Sequence, residues 1–310
     1  MSIRRARERA ALSLFTLLSL ALLASGTVAI ACSSTTSDAS PAPSDGGGSD
    51  AAFRDGGADA PADIDAAPAE KIGALFAISD STTVDGGARG RYRAGGFFAR
   101  TISPDTTVTT KTVGPCILET VGDGMQAKEE PASAGIVRLE GGKTAIALMP
   151  KADKSYAAIS GTEALWSGGE TLTVRATGQD VPPFMATLEA PSKITLTAPN
   201  MTAAGDLTVS RSGGVSAVFN GASSGAVVLY FDIAASSNAF TATCTFDVSS
   251  GTARVPASAF ADFPAGEGTF DFYMKESVVA TPPGWNVRFT ASSAIVDASG
   301  ASLAGRATFQ

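Results

Sequence analysis

From Lys71 onward, apolar and polar side chains alternate. Leu172, Val174 and Ala176 are interleaved with Thr171, Thr173 and Arg175, and Ile194 and Leu196 sit between Lys193, Thr195 and Thr197. Phe270, Phe272 and Met274 alternate with Asp271, Tyr273 and Lys275, and Val287 and Phe289 with Asn286, Arg288 and Thr290. A period of two sends successive side chains to opposite faces of a strand, so each run predicts one face in a core and one face outside it. Ala226 to Ile233 is apolar on both faces over part of its length, which predicts a strand central in a packed sheet. Gly and Pro clusters punctuate the runs at intervals of about 8 to 15 residues, the spacing of an antiparallel sandwich. Only Pro256 to Asp262 suggests a helical turn. The pattern predicts an all-β fold built of antiparallel β-sandwiches, either two immunoglobulin-like units or one larger sandwich.

The number of strands exceeds what one small immunoglobulin-like unit holds. Val181-Pro-Pro, Ala190-Pro-Ser and Ala198-Pro-Asn make the softest boundary, so residues 71–190 and 191–310 are expected as an N-terminal and a C-terminal β-sandwich. Upstream the composition changes. Residues 33–70 are Ser, Thr, Asp, Ala, Gly and Pro with only Phe53 and Ile64 as sizeable apolar residues, too little to offset the entropy of ordering. A disordered spacer is expected there, with a typical span of about 35 Å.

The first residues read as an address. Arg4, Arg5, Arg7 and Arg9 precede an apolar run from Ala10 to Ala24, and Val28-Ala29-Ile30-Ala31 leads into Cys32. This stretch resembles the lipobox of bacterial lipoproteins, and the whole chain is similar in plan to Gram-negative lipoproteins that join a signal peptide, an Asp, Gly and Ala spacer and an exported all-β domain. The resemblance implies that residues 1–31 are a lipoprotein signal peptide, that Cys32 is the lipidated residue of segment 32–70, and that the partner is a membrane, reached through the N-terminal lipid. Ser33 in place of Asp after the cysteine implies the outer membrane, at the cell surface or its periplasmic face. Ala29 departs from the Leu most frequent at its position. The competing expectation is an uncleaved anchor, since about 20 apolar residues span a bilayer, although Gly26 and Thr27 interrupt the run.

Charge and composition narrow the chemistry. The chain carries 23 Lys and Arg against 30 Asp and Glu, and eight of the acids lie in residues 33–70 beside the single base Arg54. Without a basic excess, nucleic acid is not an expected partner. Histidine is absent, which excludes Ser-His-Asp and Cys-His catalysis and His-containing zinc sites. Gly221-Ala-Ser223-Ser-Gly225 has the nucleophile-elbow pattern but no base to serve it, and reads as a hairpin loop. Glu140-Gly-Gly-Lys143-Thr144 lacks the first glycine of a phosphate-binding loop, because Val137 stands there, and reads as a turn between two strands. The Asp clusters of the spacer follow no calcium-loop spacing. No cofactor and no metal are expected.

The remaining candidates are few. Arg89, Arg91 and Arg93, spaced by two, predict three guanidinium groups on one strand face near Tyr92, suited to phosphate or acidic polymers. Trp166, before Gly168-Gly169, could stack on a sugar or peptide, whereas Trp285 shares parity with Val287 and Phe289 and is expected in the core. Cys116 and Cys244 are a candidate disulfide in an oxidising compartment, and Cys244 shares an inward parity with Ala242, Phe246 and Val248. The sequence thus predicts a membrane-anchored, non-enzymatic exported lipoprotein acting in binding, adhesion or envelope structure, with a glycan or protein surface partner. The alternative is a His-free, carboxylate-dependent carbohydrate-active enzyme drawing on acids such as Glu129, Glu130, Glu163, Glu170 and Asp180.

Overall fold

The computed structural model describes residues 70–310, apart from 85–86, 104–106, 123–127, 200, 202–204, 221–224, 236–237, 299 and 301. The expected signal peptide, Cys32 and the spacer up to residue 69 lie outside the described residues. In chain order the strands are β1 (Lys71–Val84), β2 (Gly87–Ser103), β3 (Val108–Val113), β4 (Cys116–Val121), β5 (Lys128–Pro131), β6 (Val137–Glu140), β7 (Ile146–Leu148), β8 (Tyr156–Gly161), β9 (Thr171–Ala176) and β10 (Phe184–Glu189). They continue with β11 (Thr195–Ala198), β12 (Leu207–Val209), β13 (Val215–Asn220), β14 (Ala226–Ala235), β15 (Asn238–Asp247), β16 (Thr252–Val255), β17 (Gly266–Ala280), β18 (Asn286–Ala294) and β19 (Ala304–Phe309). The helical turn read at Pro256 to Asp262 is a 3₁₀ turn, Ala257–Phe260.

Among the described residues these strands make three sheets. The largest runs β3-β4-β15-β14-β17-β18-β1-β2-β5, with β8 also on β2, β19 on β17 and β12 on β19. A four-stranded sheet has the order β10-β9-β6-β7 and a three-stranded one the order β11-β13-β16. The fold is all-β, as the alternation predicts. Most pairs are antiparallel, but β1 runs parallel to β18 and β12 parallel to β19, so the large sheet is mixed.

Strand register shows what the two small sheets do. On β14 and β17, Val227 faces Met274, Leu229 faces Phe272 and Phe231 faces Phe270, and this apolar face packs with Leu196, Ala217, Phe219 and Val255 of the three-stranded sheet. Further along the same face of β17, Val278 opposes Phe289 of β18, which opposes Leu75 of β1. That second region packs on Leu139, Leu172, Val174 and Ala176 of the four-stranded sheet. Two cores therefore lie side by side on one face of one sheet, and the 15-residue β17 contributes to both. Gly73 keeps the second core close: a Cβ there would stand 2.5 Å from a ring carbon of Phe98.

The boundary expected near residue 190 is corrected by this topology. β4 precedes it yet pairs with β15 and gives Cys116 and Leu118 to the first core; β18 follows it yet pairs with β1 and gives Trp285, Val287, Phe289 and Ala291 to the second. What changes at residue 190 is the covering layer, because the chain leaves the four-stranded sheet at β10 and enters the three-stranded sheet at β11. Proline-rich segments mark chain passages across a surface, and here the passage is between two layers over a shared sheet.

Candidate functional site

Cys116 and Cys244 are joined by a disulfide whose Cα atoms are 3.9 Å apart. They oppose each other on β4 and β15, next to the backbone bond from Thr245 N to Pro115 O. They are thus a non-hydrogen-bonded pair, the closer of the two antiparallel kinds. Both are fully buried.

Trp166 is not a ligand platform. It is 1% exposed, belongs to the second core, and its Nε1 donates to Ser293 Oγ at 2.8 Å. The stacking expected of Trp166 on a sugar or peptide needs an open ring, but the loop folds inward and Glu170 holds it by accepting from Ser167 N and Gly168 N, both at 2.6 Å. Trp285 lies in the second core as expected.

Register on β1 and β2 places Arg89, Arg91 and Arg93 at alternate positions, opposite Thr82, Asp80 and Ile78. The side chain of Arg89 lies outside what is described. Arg91 opposes Asp80 and Arg93 opposes Ile78 across β1 and β2, so both arginines occupy the face of the large sheet turned away from the cores. Arg91 donates through Nη2 and Nε to Asp80 Oδ2 at 2.7 and 3.0 Å, and Ser302 Oγ donates to Asp80 Oδ1 at 3.1 Å. Burial holds the Arg93 guanidinium below its ordinary range. These groups border an open depression of about 420 Å³ that reaches Ser160. Tyr92, one residue out of phase, packs against the second core and also borders this depression beside Arg91 and Arg93.

The carboxylates read from the sequence lie in separate local settings among the described residues. Glu170 is spent on its loop amides, which hold it below the usual range against the opposing effect of burial. Asp180 accepts from Ser133 N at 2.9 Å and pairs with Lys154 at 3.0 Å. Glu129 and Glu130 lie on β5, and Glu163 is exposed on the loop after β8. Gly221-Ala-Ser223-Ser-Gly225 falls between β13 and β14, which belong to different sheets, so it is not a hairpin; its residues 221–224 lie outside the described ones. Glu140-Gly-Gly-Lys143-Thr144 is the connection between the paired strands β6 and β7.

A different set of acids lies on the outer face of the large sheet. Register sets Glu119 of β4 opposite Thr241 of β15, Thr241 opposite Asp232 of β14, and Tyr230 of β14 opposite Asp271 of β17. Tyr273 lies two residues beyond Asp271 on the same face. Tyr230 is 2% exposed, and its hydroxyl finds no hydrogen-bond partner among the described residues. Burial, then Asp232, Tyr273, Glu119 and Asp271, push this phenol upward, and burial followed by Asp271 does the same to Tyr273. Glu119, 5% exposed, is raised by burial. Asp232 is raised by burial, although Thr269 Oγ1 donates to it at 2.5 Å. Asp271 keeps part of its surface in solvent, yet the surrounding protein raises it to about 7, with the Asp80 carboxylate adding to the effect and Arg91 opposing it. No single run of sequence contains this group. The signal for it was the out-of-phase polar set Tyr230, Asp232, Asp271 and Tyr273 on strands whose other face is core.

A carboxyl with a raised folded-state pKa holds its proton when the unfolded chain has lost it, so stability falls as pH rises from about 4 to about 7. Asp271→Asn removes that term. Its melting temperature is expected to match the wild type at pH 4 and to exceed it at pH 8 by roughly 2–4 °C, the shift that about 1 kcal/mol produces in a domain of this size. Thermal melts of both proteins at the two pH values measure this, and an equal offset at both would contradict it.

No family model matches the chain, and no curated protein does. Among solved structures, the yeast delta-COP-I mu-homology domain is similar at a TM-score of 0.20 and 7% identity, over 78% of this chain and 98% of that one. A likeness so slight carries no argument about fold or function.

Proposed function

We propose that the chain is a lipid-anchored exported binding module, acylated at Cys32, with residues 33–70 as a tether and residues 71–310 as the body it presents. The observation that carries this is the buried Cys116–Cys244 disulfide, because such bridges form and persist in oxidising compartments outside the cytoplasm. The lipobox-like stretch before Cys32 and the acidic spacer support the same address. Two or three acyl chains, at about 0.8 kcal/mol per buried methylene, anchor stably where one would not. The role is non-enzymatic, because the sequence has no imidazole to act as a base.

Metabolic labelling with a fatty acid tests the anchor. Wild type is expected to incorporate label and Cys32→Ala to accumulate as unlabelled full-length precursor; equal labelling of the two would sink the assignment. Protease shaving of intact cells then separates a body released by cleavage in the spacer, which places it outside the cell, from one that is protected on the periplasmic side.

A further inference from the structure

We infer that the depression beside β1, β2 and β8 is a binding site for an acidic sugar, whose carboxylate is held between Arg91 and Arg93. The inference names the ligand class of the binding module proposed above and rests on that reading. Register carries the placement. Arg93 lies between Ile78 of β1 and Ser160 of β8, and Arg91 lies opposite Asp80 of β1. Two residues apart on one strand, both guanidinium groups leave the same face from roots about 7 Å apart. They border the open depression of about 420 Å³, which also reaches Tyr92 and Gly161. That volume falls in the range of small-molecule sites, about 300–1,000 Å³, so it takes an anion attached to a larger body rather than a bare ion.

The lining sets the chemistry of that ligand. Arg91 is positioned rather than used up. Its Nε and Nη2 both donate to Asp80 Oδ2, Ser302 Oγ donates to Asp80 Oδ1, and among the described residues the Nη1 donors remain for a ligand. The guanidinium groups of Arg91 and Arg93 against the one Asp80 carboxylate leave a single positive charge on the lining, which matches a singly charged anion. A planar guanidinium fork meets a carboxylate through parallel N–H···O bonds. Arg93 is half-buried and depressed by burial, so an anion beside it offsets part of its lost hydration. The rest of the wall is Ser160, Tyr92 and Gly161, with Ile78 as its aliphatic side chain, a surface suited to a body of hydroxyl and C–H groups rather than to a hydrocarbon chain. Glycine is required at 161, because a Cβ there would strike the Tyr92 ring and its hydroxyl.

Calorimetric titration of the full chain with methyl glucuronoside, one sugar ring with one carboxylate, tests the site at pH 7. Its methyl ester keeps the sugar and loses the charge. Wild type is expected to bind the acid saturably with one site and the ester at least tenfold more weakly. Arg93→Gln, checked for folding by its thermal melt, is expected to weaken binding of the acid at least tenfold, and Arg93→Lys, which keeps the charge without the fork, by less. Arg91→Gln, at an exposed side chain, is the second variant and is expected to lose as much as Arg93→Gln. Arg175→Gln, exposed on the four-stranded sheet, is expected to change nothing. No saturable binding by wild type, equal binding of acid and ester, or binding that survives in the folded glutamine variants overturns the assignment. Tighter binding of glycerophosphoglycerol, a phosphodiester of the same charge, overturns the sugar in favour of a lipid headgroup. If Cys32 labelling succeeds while the glucuronoside fails, the anchored module stands and this ligand class falls; if labelling fails while the glucuronoside binds, the reverse holds.

Discussion

Replacing Cys116 and Cys244 together by alanine is expected to destabilise the body by about 2–5 kcal/mol and to lower its melting temperature by about 5–20 °C. The two cysteines are 128 residues apart, and closing a loop of that length in the unfolded chain is worth about 5 kcal/mol in the chain-entropy model. The bridge also lies where topology makes pairing entropically expensive. β4 reaches β15 only after the chain has passed through the four-stranded sheet, β11 and β13 of the three-stranded sheet, and β14, so the β4–β15 contact is a long-range one. Without the bridge, the β3–β4 hairpin keeps its place on the sheet edge by backbone bonds, by Leu118 and Val113 on the first core, and by the exposed Lys111–Asp262 pair.

Urea unfolding separates this cause from simple loss of packing. Removing a cross-link expands the unfolded state, so the denaturant slope should increase as the midpoint falls. A lower midpoint at constant slope would assign the loss to the two vacated positions in the first core, and an unchanged midpoint would contradict the prediction. Alanine is the appropriate replacement because both positions are fully buried, and a serine would add an unsatisfied hydroxyl.

The legible part of the fold is local. Alternation over Leu172 to Ala176, Phe270 to Met274 and Val287 to Phe289 gives strands with the expected faces inward, and the apolar run from Ala226 is the interior strand β14. What alternation cannot carry is which strand lies beside which. The parallel β1–β18 pair joins residues more than 200 positions apart, and no turn chemistry announces it. The same limit hid the acids of the outer face. Glu119, Asp232 and Asp271 are unremarkable in their own segments and share a face only when β4, β15, β14 and β17 are laid side by side. Tyr92 and the arginines were separable in principle, since adjacent residues of a strand face opposite ways. Trp166 was the harder case: a loop tryptophan beside two glycines gives no period, and its burial follows from a hydrogen bond to a residue 127 positions away.

That contact is the second place where a single change should have a large effect. Trp166→Ala is expected to destabilise the body by about 3–5 kcal/mol, the range for truncating a buried aromatic side chain, with an associated drop in melting temperature of about 6–20 °C. The indole fills the second core where the loop after β8 meets β18, and it heads a chain of bonds: Nε1 donates to Ser293 Oγ at 2.8 Å, and Ser293 Oγ donates to the Pro191 carbonyl at 2.8 Å. Three segments distant in sequence are held by that chain, one of them the passage between the two covering sheets. Trp166→Phe keeps most of the packing and removes only the bond that Ser293 Oγ accepts, leaving its bond to Pro191, so it should be destabilising by about 1–3 kcal/mol. Ser293→Ala strands both the indole N–H and the Pro191 carbonyl and should fall in the same range. The two mild changes share one bond, so their combined effect should be smaller than the sum of the separate ones. Additive losses in denaturant midpoints would mean that the bond carries no coupling and that Trp166 acts by volume alone.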